Sequence, residues 1–125
     1  MTRDEMLIRL WPTPQSCTRA RHAVREFCST RGLDDLAYDA ELLTSEVMSN
    51  AVRNSDGMLT LLLVHAHDTL AVTVSDNSVE LPSRRPVRDD ELAESGRGLT
   101  VLDTVAGDWG MAPGGAGKTV WFRLP

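Results

Sequence analysis

The stretch Ser45–Ser55, "SEVMSNAVRNS", decides how the chain is read. It continues a helical pattern whose apolar stripe is Leu36, Ala40, Leu43, Val47 and Ala51, spaced by three or four residues. A helix that only packed on a core would need no polar group beside that stripe. Here Glu46, Asn50, Arg53 and Asn54 crowd one side of it. Glu46 and Asn50 are four apart and Arg53 is three further on, so all three share a face. That face borders the apolar stripe and does not oppose it. Its residues belong at the lip of a helix-sheet core, where a cleft opens. The ordinary alternative is a solvated polar face, and on this helix alone it would be the better reading.

Working outward, Gln15–Arg31 has apolar residues at Ala20, Ala23, Val24 and Phe27, which predicts a first helix. Ser16 stands where a cap belongs, and Gly32 stands at the C′ position. Asp34 or Asp35 caps the second helix, and "NSDG" ends it. Before these, Met6–Trp11 alternates loosely up to Pro12 and predicts an edge strand. After them, Met58–His65 and Thr69–Ser75 read as strands joined by the short link "AHD". Asn77–Gly98 has prolines, charges and glycines without a sustained period, the composition of a functional loop. Leu99–Val105 reads as a short helix opened by "GRG". Asp108–Met111 and Thr119–Leu124 read as closing strands around "PGGAGK". The order predicts an α/β (α+β) two-layer sandwich: a mixed, mostly antiparallel sheet with three helices on one face.

Composition bounds the rest. A chain of 125 residues suggests one domain, spanning 1–125, with enough length for a core without staples. Its net charge of −5 argues against direct nucleic-acid binding through bulk charge. Cys17 and Cys28 lack metal-ligand spacing, and on one helix they stand ~16 Å apart, too far to bridge. No run approaches a membrane span, and "MTRDEMLIRLW" carries charges where a signal peptide has an apolar region. The expectation is a cytoplasmic protein.

Three further motifs carry chemistry. "VTVSDNS" places Asp76 at the end of an apolar strand, where a carboxylate caps a turn or accepts a hydrogen bond from a ligand amine. "ESGRGL" places Gly96, Arg97 and Gly98 before a helix, where backbone N–H groups and the helix dipole favour a phosphate. "GKT" at Gly117–Thr119 precedes a strand, so it is no Walker A loop. Each alone has an everyday structural explanation; their order is more specific. Glu-x-x-x-Asn on a helix, strand-end Asp, loop, GxGL and a late Gly-Lys-Thr together resemble the GHKL ATPase family, which shares the Bergerat ATP-binding fold. Within it, the chain looks most like the small stand-alone anti-sigma-factor serine/threonine kinases, and the likeness extends from "ARHAVREF" to "GKTVWFRL".

The resemblance implies roles. Glu46 is the expected general base. Asn50 is the expected Mg²⁺ ligand, with Arg53 near a phosphate and Asn54 on the inner wall of the pocket. Asp76 recognises the adenine amino group, with Ser78 beside it and Thr119 supporting it through a shared water. Residues 79–95 form the expected ATP lid, and Gly96, Arg97, Gly98 and Leu99 wrap the phosphates. ATP and Mg are the implied cofactors. A sigma factor and an anti-anti-sigma protein are the implied partners, docking on a basic stripe formed by Arg21 and Arg25, with a homodimer as the assembly. One departure stands out. The family's first glycine box reads Asp-x-Gly-x-Gly, and here "DNSVE" puts Ser78 and Glu80 in place of both glycines. A second reading therefore stays open: a non-catalytic nucleotide-sensing or nucleotide-free partner-binding regulator of the same fold.

Overall fold

The computed structural model describes residues 3–55, 57–76, 108–114 and 117–125. Its elements are β1 (Asp4–Leu10), α1 (Pro14–Thr30), α2 (Asp34–Asn54), β2 (Leu59–Ala66), β3 (Thr69–Asp76), β4 (Asp108–Gly114) and β5 (Gly117–Leu124). The strands form one sheet in the order β1-β2-β3-β5-β4. Every pairing among the described residues is antiparallel, so the mixed sheet expected from sequence is antiparallel as far as it is described. The two-layer α+β class holds. The third helix expected at Leu99–Val105, like the lid at 79–95, lies outside the described residues.

Period-2 alternation sorts the sheet into two faces. Leu59, Leu61 and Leu63 of β2, Leu70, Val72 and Val74 of β3, and Val120, Phe122 and Leu124 of β5 are buried. They form one core with Ala20, Val24, Phe27 and Cys28 of α1 and Ala40, Leu43, Val47 and Met48 of α2. Burying each large side chain of this set contributes on the order of 1.5–3 kcal/mol. The opposite face carries Leu7, Thr60, Leu62, Thr73, Ser75, Thr119, Trp121 and Arg123 by the same alternation. There Trp121 lies against Gly110, whose absent Cβ would stand 2.7 Å from the indole, and Arg123 stacks on the same ring at 4.8 Å.

Helix α1 starts earlier than Ser16 suggests. Thr13 is its N-cap and Pro14 follows in the first turn, where a missing N–H costs nothing. Ser16 is buried one turn in, with Oγ 3.2 Å from Thr13 Oγ1. Gly32 takes the left-handed conformation at φ 69°, as expected after a helix end. Arg31 lies over the Phe27 ring at 3.7 Å and 3.5 Å from Asp4, tying the helix end to β1. The β2–β3 link is a two-residue hairpin with His67 at φ 53° and Asp68 at φ 60°.

Candidate nucleotide site

Helix α2 has three flanks. Ala40, Leu43, Thr44, Val47 and Met48 are buried against the sheet. Glu41 and Ser49 turn toward α1: Arg25 Nη2 is 2.8 Å from Glu41 Oε1, and Ser49 Oγ is 4.0 Å from Cys17 Sγ. At about 100° per residue, Glu46 and Asn50 fall on the remaining flank, away from α1. Both are half-buried, whereas Arg53 and Asn54 are exposed at the helix end.

Asp76 joins these residues through the sheet register. It pairs with Leu59, the first residue of β2, and α2 ends only a short turn earlier at Asn54. Asp76 and the C-terminal half of α2 therefore share one end of the sandwich. Asp76 also follows Leu70, Val72 and Val74 in parity, so it sits on the helix-covered face of the sheet. The fold thus brings Glu46, Asn50, Arg53, Asn54 and Asp76 to one end of the helix-sheet groove.

Thr119 does not join them. It pairs with Ser75, and the two hydroxyls lie 3.3 Å apart on the outer face with Trp121 and Arg123. Adjacent positions in paired strands point to opposite faces, so Thr119 and Asp76 do not face each other directly, and the water expected between them stays a proposal. Ser78, Gly96, Arg97, Gly98 and Leu99 lie outside the described residues.

Two contacts that sequence reading missed bear on these residues. Asn54 Nδ2 donates to the Asn50 main-chain oxygen at 2.8 Å and to Asn50 Oδ1 at 3.0 Å. The four-residue spacing of two carboxamides on one helix was the available signal. The other contact changes the basic stripe. Arg25 donates from Nε at 3.0 Å and Nη2 at 2.8 Å to Glu41 Oε1, and Arg21 donates to Thr18 Oγ1 at 3.4 Å. Glu41, through its hydrogen bond and then its charge, holds the Arg25 guanidinium above its usual pKa. Half of the stripe is therefore already paired within the chain.

Among the described residues, no three His, Cys, Asp or Glu side chains gather into a metal site. A Mg²⁺ carried on phosphate oxygens and water needs only one or two protein ligands. Asn50 Oδ1 has two lone pairs and spends one on Asn54, leaving one hard oxygen for such an ion. The donor set fits a nucleotide-bound magnesium and would not hold the ion by itself.

A family profile for the histidine kinase-like ATPase domain matches residues 10–124. The chain belongs to that family. An ATPase domain of this kind implies ATP as its ligand, and the shared end of the groove is where the described residues offer it polar groups. A comparison with curated proteins returned no match. Solved structures that match include the RsbU and RsbW domains of Rv1364c from Mycobacterium tuberculosis, with a TM-score of 0.70 and 19% identity. The match covers 98% of this histidine kinase-like ATPase domain and 33% of the larger chain. At that identity the likeness bears on the fold, and it agrees with the two-layer architecture. No helix among the described residues is long and apolar enough to cross a membrane.

Proposed function

We propose that this domain is an ATP-binding regulator of the anti-sigma-factor kinase type. In this reading it binds a sigma factor and transfers a phosphoryl group to a serine or threonine of a small anti-anti-sigma protein. One observation carries it: Glu46 and Asn50 stand half-buried on the flank of α2 away from α1, at the end of the groove that Asp76 also borders.

Each residue has a task. Asp76 accepts a hydrogen bond from the adenine amino group, Arg53 approaches a phosphate, and Asn54 lies near the inner wall of the pocket. Gly96, Arg97, Gly98 and Leu99 keep the phosphate-wrapping roles expected from sequence, and Ser78 keeps its place beside Asp76. Asn50 offers its amide oxygen to Mg²⁺, which when bound with ATP spreads the negative charge of phosphoryl transfer. Glu46 accepts the proton of the attacking hydroxyl. The hydroxyl oxygen bonds to the γ-phosphorus, the bond from that phosphorus to the β–γ bridging oxygen breaks, and ADP leaves. A general base of this kind contributes about 10²–10⁴-fold. Residues 1–125 act as one domain, in a cytoplasmic homodimer, and Arg21 on α1 steers the protein partner.

Calorimetric titration with ATP, with Mg²⁺ and with EDTA, tests the binding half. Transfer of labelled phosphate from ATP to a candidate anti-anti-sigma protein tests the chemistry. Mg²⁺-dependent binding with transfer is the expected result; absence of ATP binding would overturn the reading. A second reading has its own support, since Ser78 and Glu80 stand where the family resemblance expects glycines. Binding without transfer to any partner would favour that non-catalytic sensor.

A further inference from the structure

We infer that Asn54 is a positioning residue that fixes which end of the Asn50 carboxamide faces the metal; this rests on the reading of Asn50 as a Mg²⁺ ligand. A free carboxamide turns easily about its last torsion and presents NH₂ as readily as oxygen. Only the oxygen can bind a cation. Something must therefore choose the orientation, and the hydrogen bonds at the end of α2 do so.

The choice follows from two distances. Asn54 Nδ2 stands 2.8 Å from the Asn50 main-chain oxygen, and a main-chain oxygen only accepts. The group facing it is therefore the NH₂ of Asn54. The same nitrogen stands 3.0 Å from the Asn50 side chain, and the atom it meets there must also accept. That atom is Oδ1. One NH₂ supplies both hydrogens, and the Asn50 oxygen is held toward the C-terminal end of α2, where Arg53 and Asn54 are exposed. Its second lone pair remains available. An ordinary role at a helix end, satisfying a carbonyl of the last turn, accounts for the first contact. It gives no reason for the second.

The test separates orientation from folding and from direct nucleotide contact. Asn54→Leu keeps the size and removes the donor, and Asn54→Ala serves as a second variant. ATP affinity is measured by calorimetry in excess Mg²⁺ and in EDTA, with a thermal melt on each protein. The expected result is an unchanged melt and a gain from Mg²⁺ smaller than wild type by roughly 3–10-fold, the size of one or two exposed hydrogen bonds, beyond any loss that EDTA also records. Asn50→Asp supplies the cycle. A carboxylate has an oxygen at either end, so in that background Asn54→Leu has no orientation left to disturb and leaves the Mg²⁺ gain unchanged. An undiminished Mg²⁺ gain in Asn54→Leu overturns the inference. So does an equal loss with and without Mg²⁺, which would make Asn54 a nucleotide contact with no part in orienting Asn50. A wild type whose ATP affinity ignores Mg²⁺ overturns the metal reading of Asn50 and the inference with it, and that failure shows before any variant is made.

Discussion

Arg25 of α1 and Glu41 of α2 close the seam between the two helices, with the guanidinium Nη2 2.8 Å and Nε 3.0 Å from one carboxylate oxygen. Glu41 is the more enclosed partner, its side chain 19% exposed against 64% for Arg25. The pair changes what charge reversal on α1 measures. Arg25→Glu sets two carboxylates against each other, so its melting temperature should fall modestly, and Arg25→Glu with Glu41→Arg should recover most of the loss. Arg21→Glu breaks only a 3.4 Å contact to Thr18 on its own helix and should melt like wild type. Pull-down of the protein partner is therefore read on Arg21→Glu. Wild-type capture by that variant would remove the basic stripe from the docking surface.

The β2–β3 hairpin carries removable strain. His67 and Asp68 both adopt positive φ, at 53° and 60°, which side-chain-bearing residues take at a cost. A two-residue turn of this kind favours Asn-Gly. His67→Asn with Asp68→Gly should stabilise the domain by about 1 kcal/mol, seen as a rise of roughly 4 °C in melting temperature. A lower melting temperature would show that the native side chains support the turn in a way their backbone angles do not reveal.

The sandwich was legible because its signals are local. The change from helical spacing at Leu36–Ala51 to alternation at Leu59–Ser75 marks the layers, and Gly32 and the short "AHD" link mark the corners. Glu46 and Asn50 were legible for the same reason, since their spacing alone puts them beside the apolar stripe. The face that Thr119 takes was not legible, because motif order says nothing of strand parity and a single residue of register decides the face. The Arg25–Glu41 pair joins residues sixteen apart on separate helices. Its existence depends on how α1 packs on α2, which no local pattern in either helix contains.

Thr44 is a polar flaw in the core. It is fully buried on α2, and its Oγ1 has no hydrogen-bond partner among the described residues. A hydroxyl stripped of water without a partner costs on the order of 1–3 kcal/mol. Thr44→Val keeps the shape and removes that oxygen, so chemical denaturation should show a gain of about 1 kcal/mol. A loss of that size would point to a hidden partner for the hydroxyl.

Cys28 should resist modification. It is fully buried, and burial first, then the charges of Glu41 and Asp34, pushes its thiol pKa above the usual value, with Arg31 opposing. The folded state thus favours the protonated thiol more than the unfolded chain does. The associated stability is present below the unfolded thiol pKa of about 8.5 and is lost as pH rises through the higher folded value. Alkylation at neutral pH should label the half-buried Cys17 first, and Cys28 only as the protein opens. Cys28→Ala should flatten the decline in stability above pH ~8.5. An unchanged pH profile in that variant would assign the decline to other groups.

The last prediction separates binding from chemistry on α2. Glu46 and Asn50 sit one turn apart on the same half-buried flank, so a change to either leaves the apolar contacts of Val47 and Met48 in place. Asn50→Ala removes the amide oxygen proposed for the metal. Its ATP affinity in Mg²⁺ should fall toward the EDTA value, which the same variant should share with wild type. Glu46→Gln keeps the size of the side chain and deletes the proton acceptor. It should bind Mg²⁺-ATP within about two-fold of wild type, while the transfer rate to the partner drops by roughly 10²–10⁴-fold. The two variants therefore fail in different assays if the roles are as proposed. A Glu46→Gln protein that still transfers phosphate at the wild-type rate would take the general base away from Glu46. An Asn50→Ala protein that loses ATP equally in Mg²⁺ and in EDTA would make Asn50 a contact to the nucleotide itself and leave the metal without a protein ligand on this helix.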